Sequence, residues 1–363
     1  MPDLGGLASA KAVDALTAKK LVPKPTGVFS ATVPAGQVVS QDPPAGAGAK
    51  EGQQVTVLVS LGFPAILLNL NNNIVSIGGG SGQPVKKVAA SSDVEEEPSI
   101  TPDGKVVVYK RHAAQGDGLG QLWTSKVGDA NSAQPLTTPG FDDGRPAVSP
   151  DGRVVAFVSN RKAADPKDTD LCFTRLDQAG AQPDCVVDGS TTVSRPAWAP
   201  DGRSIVVVGS DQQQAAAGQT ELLLYTSQTP NASTAAEWLR QGFVTDAMHG
   251  QERDDQVISA AFAPDGTRLA FTATWSGGAK VFVAVVEGGV IATAKPKAVP
   301  RVSACELSWR PDSGELAIAV RDRGCDQEGR IFRVDPKAPE QQIALTGVSA
   351  SAGNPVWFPV VTP

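Results

Sequence analysis

Glu97, Arg145, Arg195, Ser259, Glu306 and Asn354 share one recurring sequence position and are the chain's clearest candidates for chemistry. Four of them stand directly before a proline, while Ser259 and Glu306 precede Ala260 and Leu307 at the equivalent places. A ring of carboxylates and guanidiniums has two uses. It can hold a polar ligand through charge-assisted hydrogen bonds, or pair internally and seal whatever it lines. Two charges of each sign make the ring near neutral, which argues against a strongly charged ligand. Catalysis has little to stand on. Only His112 and His249 exist, neither beside an obvious nucleophile, and Gly79-Gly80-Ser81-Gly82 lacks the outer glycine of a nucleophile elbow because Gln83 follows. Three acidic groups are conceivable calcium ligands: Asp165, Asp168 and Asp170; Asp142 and Asp143; Glu95 to Glu97. The first lacks the central glycine and distal glutamate of a calcium loop, and all three read as solvated acidic loops. No metal, no cofactor and no enzymatic activity are expected.

The elements that must carry the ring repeat along the chain. Pro200-Asp201-Gly202 lies between Pro196-Ala197-Trp198 and the apolar run Ile205 to Val208, which reads as strand, tight turn, strand. The unit recurs at Pro102-Asp103-Gly104, Pro150-Asp151-Gly152 and Pro264-Asp265-Gly266, with a weakened copy at Pro311-Asp312-Ser313-Gly314. Successive turn aspartates lie 48, 50, 64 and 47 residues apart, a period that signifies a β-propeller. The ring position falls in each first strand, which is innermost in such a fold, so the six residues should meet at the mouth of the central channel. Trp198, Phe262, Trp309 and Trp357 share another strand position and read as core between blades.

The run "RPAWAPDGRSIVVVGSD" resembles the repeat of TolB-like propellers, whose third strand should match Gln121 to Thr124, Leu171 to Thr174, Leu222 to Tyr225, Val281 to Ala284 and Ile331 to Asp335. Five blades fall in register between about Asp93 and Val348. Ala65 to Leu70, Ile74 to Ile77 and Val85 to Val88 read as three strands of a blade with no first strand. Pro355 to Pro359 reads as a first strand with no remainder. Joined, they make a composite sixth blade, with Val356 pairing near Ile66 to Leu70, and leave no open sheet edge. Residues 1–62 resemble a PASTA domain through Pro2-Asp3-Leu4 with Gly6, Val33 to Gly36, and above all Val39-Ser40-Gln41-Asp42-Pro43-Pro44-Ala45-Gly46. A helix is expected over Leu7 to Leu21, and strands at Gly27 to Val33, Gln37 to Gln41 and Gln53 to Ser60. The expected fold is mainly β: a small α+β PASTA domain (1–62) before a six-bladed TolB-like propeller (63–363). Beyond the third blade's second half, a short helix is expected around Ala235 to Arg240, and Asn231-Ala232-Ser233, an N-x-S triplet, suggests an exposed loop.

Four cysteines pair naturally as Cys172 with Cys185 and Cys305 with Cys325, each pair inside one blade, which suggests disulfides and an oxidising compartment; the alternative is four buried thiols. A net charge of −6 without a basic cluster gives no reason to expect nucleic acid or an anionic membrane as partner. Met1 is followed by Pro2-Asp3-Leu4 with no signal-peptide pattern, so any export signal or membrane anchor is expected outside this sequence. The PASTA resemblance implies the extracellular sensor region of a bacterial membrane protein, in the order serine/threonine kinase, membrane span, PASTA. Its partner would be a peptidoglycan fragment or a protein. The alternatives are a stand-alone secreted or periplasmic scaffold and, last, a propeller lyase or hydrolase.

Overall fold

The computed structural model describes all residues except 31, 81–84, 90, 117, 163–167, 188–191, 212–217, 244–255, 276–277, 322–324, 326–328, 348–351 and 359–363. Asp165, His249, Glu252, Asp254, Asp255 and Ser81 thus lie outside the described residues. The protein is mainly β, and the described residues build one three-stranded and six four-stranded sheets.

Residues 1–61 place helix Ser9–Thr17 on a sheet of Val22–Val28, Gln54–Ser60 and Val38–Asp42. Leu4, Ala12, Leu16, Val38, Val55 and Val57 form its core. The first strand begins before the expected Gly27. It runs parallel to Gln54–Ser60 despite Pro23 and Pro25. Both prolines fall at alternate positions of an edge strand, where the missing N–H points away from the partner. The helix is also shorter than the spacing of Leu7 to Leu21 suggests.

Five of the four-stranded sheets are antiparallel meanders whose first two strands are joined by the same turn. In Thr101 to Gly104 the Gly104 N–H donates to Thr101 O at 2.8 Å, and Asp103 Oδ1 accepts the Lys105 N–H at 3.1 Å. Asp151, Asp201 and Asp265 repeat that side-chain bond at 3.1, 2.8 and 2.9 Å. The closing glycine is left-handed in all four, at φ +69 to +74° for Gly202 and Gly152 respectively. In the weakened copy Ser313 takes this conformation at φ +61°.

The strands after these turns are apolar on both faces, and alternation sends each face to a different neighbour. Ile205 and Val207 join a cluster with Phe173 and Leu171 of the preceding sheet, whereas Val206 and Val208 join Phe271 and Val257 of the following one. Six such clusters link the six sheets in a cycle. The cycle passes through a sheet drawn from both ends of this region: Ala352–Phe358, Ala65–Leu70, Asn73–Gly78 and Lys86–Ala89. Val356 lies opposite Leu67 in it. Trp198 and Trp309 sit in the clusters between sheets, and their indole N–H groups donate to Ala147 O and Ala261 O, both at 3.0 Å.

Two local expectations are corrected. Only Ala235–Glu237 makes a helical turn, and Arg240 belongs to the strand Leu239–Phe243, because Leu224 and Tyr225 pair with Gly242 and Arg240. Asn231 is not on an exposed loop: its N–H donates to Gly202 O at 2.7 Å, and Ala232 beside it is buried. Both disulfides are present, Cys172–Cys185 across paired strands and Cys305–Cys325 with Cys305 just ahead of strand Glu306–Trp309.

Candidate functional site: the inner ring

The innermost strands are Val94–Ile100, Asp143–Val148, Thr192–Trp198, Val257–Phe262, Glu306–Trp309 and Ala352–Phe358. Each lies against the next, and the last returns to the first. All six candidate ring residues line one cavity of about 140 Å³ where these strands meet.

Proline explains how four of them are presented. A proline cannot donate to the ladder, so pairing jumps across it and leaves a bulge. The register breaks between Glu96 and Ser99, Gly144 and Ala147, Ser194 and Ala197, and Gly353 and Val356. Within each break the residue before proline turns left-handed: Glu97 at φ +56°, Arg145 at +52°, Arg195 at +51° and Asn354 at +49°. Ser259 and Glu306, followed by alanine and leucine, stay in the ladder opposite Thr272 and Ala319.

The charges pair around the ring. Glu97 Oε1 meets Arg145 Nε at 2.8 Å, and its Oε2 accepts the Arg145 N–H at 2.7 Å. Glu306 Oε1 accepts from Arg195 at 3.0 Å and Arg321 at 2.9 Å, and its Oε2 accepts the Asn354 N–H at 2.6 Å. Thus in two places a ring carboxylate takes the ring N–H of the next sheet. In both, the residue just before that N–H is glycine. A Cβ on Gly144 would stand 2.9 Å from Glu97 Oε2, and one on Gly353 3.3 Å from Glu306 Oε2. The arginine pair on neighbouring sheets, Arg145 and Arg195, has no carboxylate between it, and Ser194 replaces the glycine there.

Burial drives the Glu306 carboxyl up, but Arg195, Arg321, the Asn354 N–H and Arg145 outweigh it and hold the group below the usual glutamate value. Burial, joined by the like charge of Arg145, pulls the Arg195 guanidinium below its ordinary value despite Glu306 and Glu97. Burial also opposes the charge of Arg145, yet Glu97, Glu306, Glu96 and Asp142 together raise it. Ser259 Oγ donates to Cys305 O at 3.1 Å and lies 3.0 Å from Thr272 Oγ1.

Sequence reading missed the support behind the ring. Arg321, at the end of a second strand, has no counterpart in the recurring position. Lys110 lies 3.0 Å from Asp142 and 3.9 Å from Glu96, and His112 lies 3.4 Å from Glu96. Burial and the neighbouring Glu97 carboxylate push Glu96 above the usual glutamate value. The acidic residues read as solvated loops are partly buried and engaged. Asp143 is fully buried with Arg161 and Ser159. Glu95 is 1% exposed. Asp170 is buried in its strand. Among the described residues no group of three or more His, Cys, Asp or Glu is placed to hold a metal. A roomier cleft of about 510 Å³ lies at the turn end, but its carboxylates are taken: Asp103 by Thr101, Asp151 by Ser149 and Asp177 by Arg175.

Residues 1–61 match the family described as PASTA domain, and residues 120–355 match the family described as lipoprotein LpqB beta-propeller domain. TolB from Acinetobacter baumannii superposes with a TM-score of 0.61 at 16% identity, over 82% of this chain and 67% of that one. The putative TolB from Agrobacterium tumefaciens gives 0.55 at 13% identity, over 82% and 99%. Hydrazine synthase from Kuenenia stuttgartiensis gives 0.59 at 11% identity, over 81% and 46%. At these identities the likeness concerns the fold alone. No curated protein matches the sequence.

Proposed function

Since this chain belongs to the lipoprotein LpqB beta-propeller domain family and carries a PASTA match ahead of it, we propose that it is a ligand-binding region working outside the cytoplasm. Its two units are residues 1–62 and 63–363. The propeller takes a peptidoglycan fragment or a protein partner at the inner ring, and a serine/threonine kinase across the membrane receives the signal. The two disulfides support an oxidising compartment. Among the described residues no helix is long and apolar enough to cross a membrane. One observation carries the reading. Six polar side chains from six sheets converge on a single cavity, and two of them keep side-chain surface open: the Arg145 side chain is 31% exposed and that of Arg195 20%. A ring that only seals the channel would close both.

Calorimetry of the chain against soluble muropeptides tests it, with the Arg145→Ala/Arg195→Ala double variant and its thermal melt alongside. Loss of binding with the fold retained supports the socket. Binding retained in full, with a lowered melt, makes the ring structural. The family description also names a lipoprotein, which favours the alternative of a scaffold without a kinase. Assay of the native full-length protein for phosphotransfer from ATP discriminates: activity supports the kinase, and its absence supports the scaffold.

A further inference from the structure

We propose that the ring reads a chain-terminal carboxylate: a peptide enters end-on and seats its terminal carboxylate between Arg145 and Arg195. The inference rests on the ring being the ligand site and names the chemistry that site takes.

Three observations converge on it. The first is the pairing pattern. Every carboxylate of the ring already has its partners, and each uses only part of an arginine. Glu97 engages Nε of Arg145, and Glu306 engages one terminal nitrogen of Arg195. The remaining guanidinium N–H groups belong to side chains that line the cavity, and a planar carboxylate matches that fork. The second is charge. Arg145 and Arg195 stand on neighbouring strands of the cavity lining with no ring carboxylate between them, and a ligand carboxylate falls at that gap between two like charges. Burial first, and then the like charge of Arg145, lower the proton affinity of Arg195, although Glu306 and Glu97 oppose both. The third is size. A space of about 140 Å³ is well under the roughly 300–1,000 Å³ of sites that enclose a drug-sized ligand. It admits the end of a chain and not a sugar ring with its neighbours. Pro98, Pro146, Pro196, Pro355 and Val356 supply apolar walls suited to a small last side chain.

The test titrates the full chain with N-acetyl-dialanine, its C-terminal amide, propionate and glucuronate, by calorimetry and by the ¹⁵N shifts of arginine side chains. The acid should saturate and move the Arg145 and Arg195 resonances, and the amide should bind at least about tenfold more weakly, since an ion pair is replaced by a contact between the guanidinium and a neutral carbonyl. Propionate should bind more weakly than the dipeptide at the same resonances. In Arg145→Gln the acid should fall to the level of the amide, and Arg195→Gln should do the same should the first variant melt early. Equal binding of acid and amide overturns the proposal, as does the absence of any saturable shift. Glucuronate binding tighter than the dipeptide acid overturns the chain end in favour of a sugar acid. Muropeptides that bind the wild type regardless of amidation would refute the carboxylate and leave the ring as site. Dipeptide acid that binds where muropeptides do not would refute only the cell-wall ligand.

Discussion

Replacing Glu306 by glutamine should remove the strongest electrostatic tie across the ring. The carboxylate is 3% exposed and holds three donors from three sheets: Arg195, Arg321 and the Asn354 N–H. Glutamine keeps the shape but offers one acceptor oxygen. Either the Asn354 N–H or the arginine pair must then face an amide NH₂. Truncating one side of a buried ion pair costs about 3–5 kcal/mol, because the remaining charge stays buried and uncompensated. At roughly 2 °C per kcal/mol for a large domain, the melting temperature should fall by about 6–10 °C at pH 7. The pH dependence checks the cause. Glu306 titrates below its ordinary value in the folded protein, so its contribution is complete above the unfolded value of about 4.3 and is lost as pH falls through the folded value. The gap between wild type and Glu306→Gln should therefore be constant from pH 7 to 5 and narrow below pH 4. Scanning calorimetry across that range reads both. A gap under 1 kcal/mol at pH 7, or one that persists unchanged at pH 3, would refute the assignment of this energy to the ionised carboxylate.

Three further outcomes are expected. Glu95 Oε2 is buried with no hydrogen-bond partner, and burial outweighs Ser91 and Arg111 to raise its carboxyl, so stability is lost as pH rises from the unfolded value through the folded one. Glu95→Gln should therefore stabilise by about 1–3 kcal/mol at pH 8 and change nothing at pH 4, and a destabilised melt at pH 8 would contradict this. The Cys172–Cys185 bond closes a separation of 13 residues, so Cys172→Ser/Cys185→Ser should lose about 3 kcal/mol, read by denaturant unfolding, and unreduced wild type should show no titratable thiol. Truncation after residue 350 removes Ala352–Phe358 and leaves Ala65–Leu70 as an open edge beside the Trp357 gap, so the melt should drop by many degrees; an unchanged transition would mean the cycle does not depend on that strand.

What the sequence determined by itself is whatever rests on local chemistry. The Pro-Asp-Gly turns, the apolar strands behind them and the recurring position before proline are written in residue type and period-two alternation. Glu97, Arg145, Arg195, Ser259, Glu306 and Asn354 could be picked out before any coordinates because repetition puts one position of each repeat at one radius. The half-filled repeats at 65–88 and 355–359 declared their mutual need in the same way. Tertiary structure decided what those positions do to each other. That Arg195 pairs with Glu306, 111 residues on, and that Arg321 joins them from outside the repeat pattern, depends on how the sheets close around the channel. No local signal carries such a distance. The strand Val22–Val28 was hidden for the opposite reason: its prolines argue against pairing locally, and only an edge beside Gln54–Ser60 makes them harmless. The carboxyl of Glu95 reads in sequence as one of three acidic neighbours on a solvated loop. Strand alternation turns it inward and its neighbour Glu96 toward Lys110, which is why adjacent, identical residues end in different surroundings.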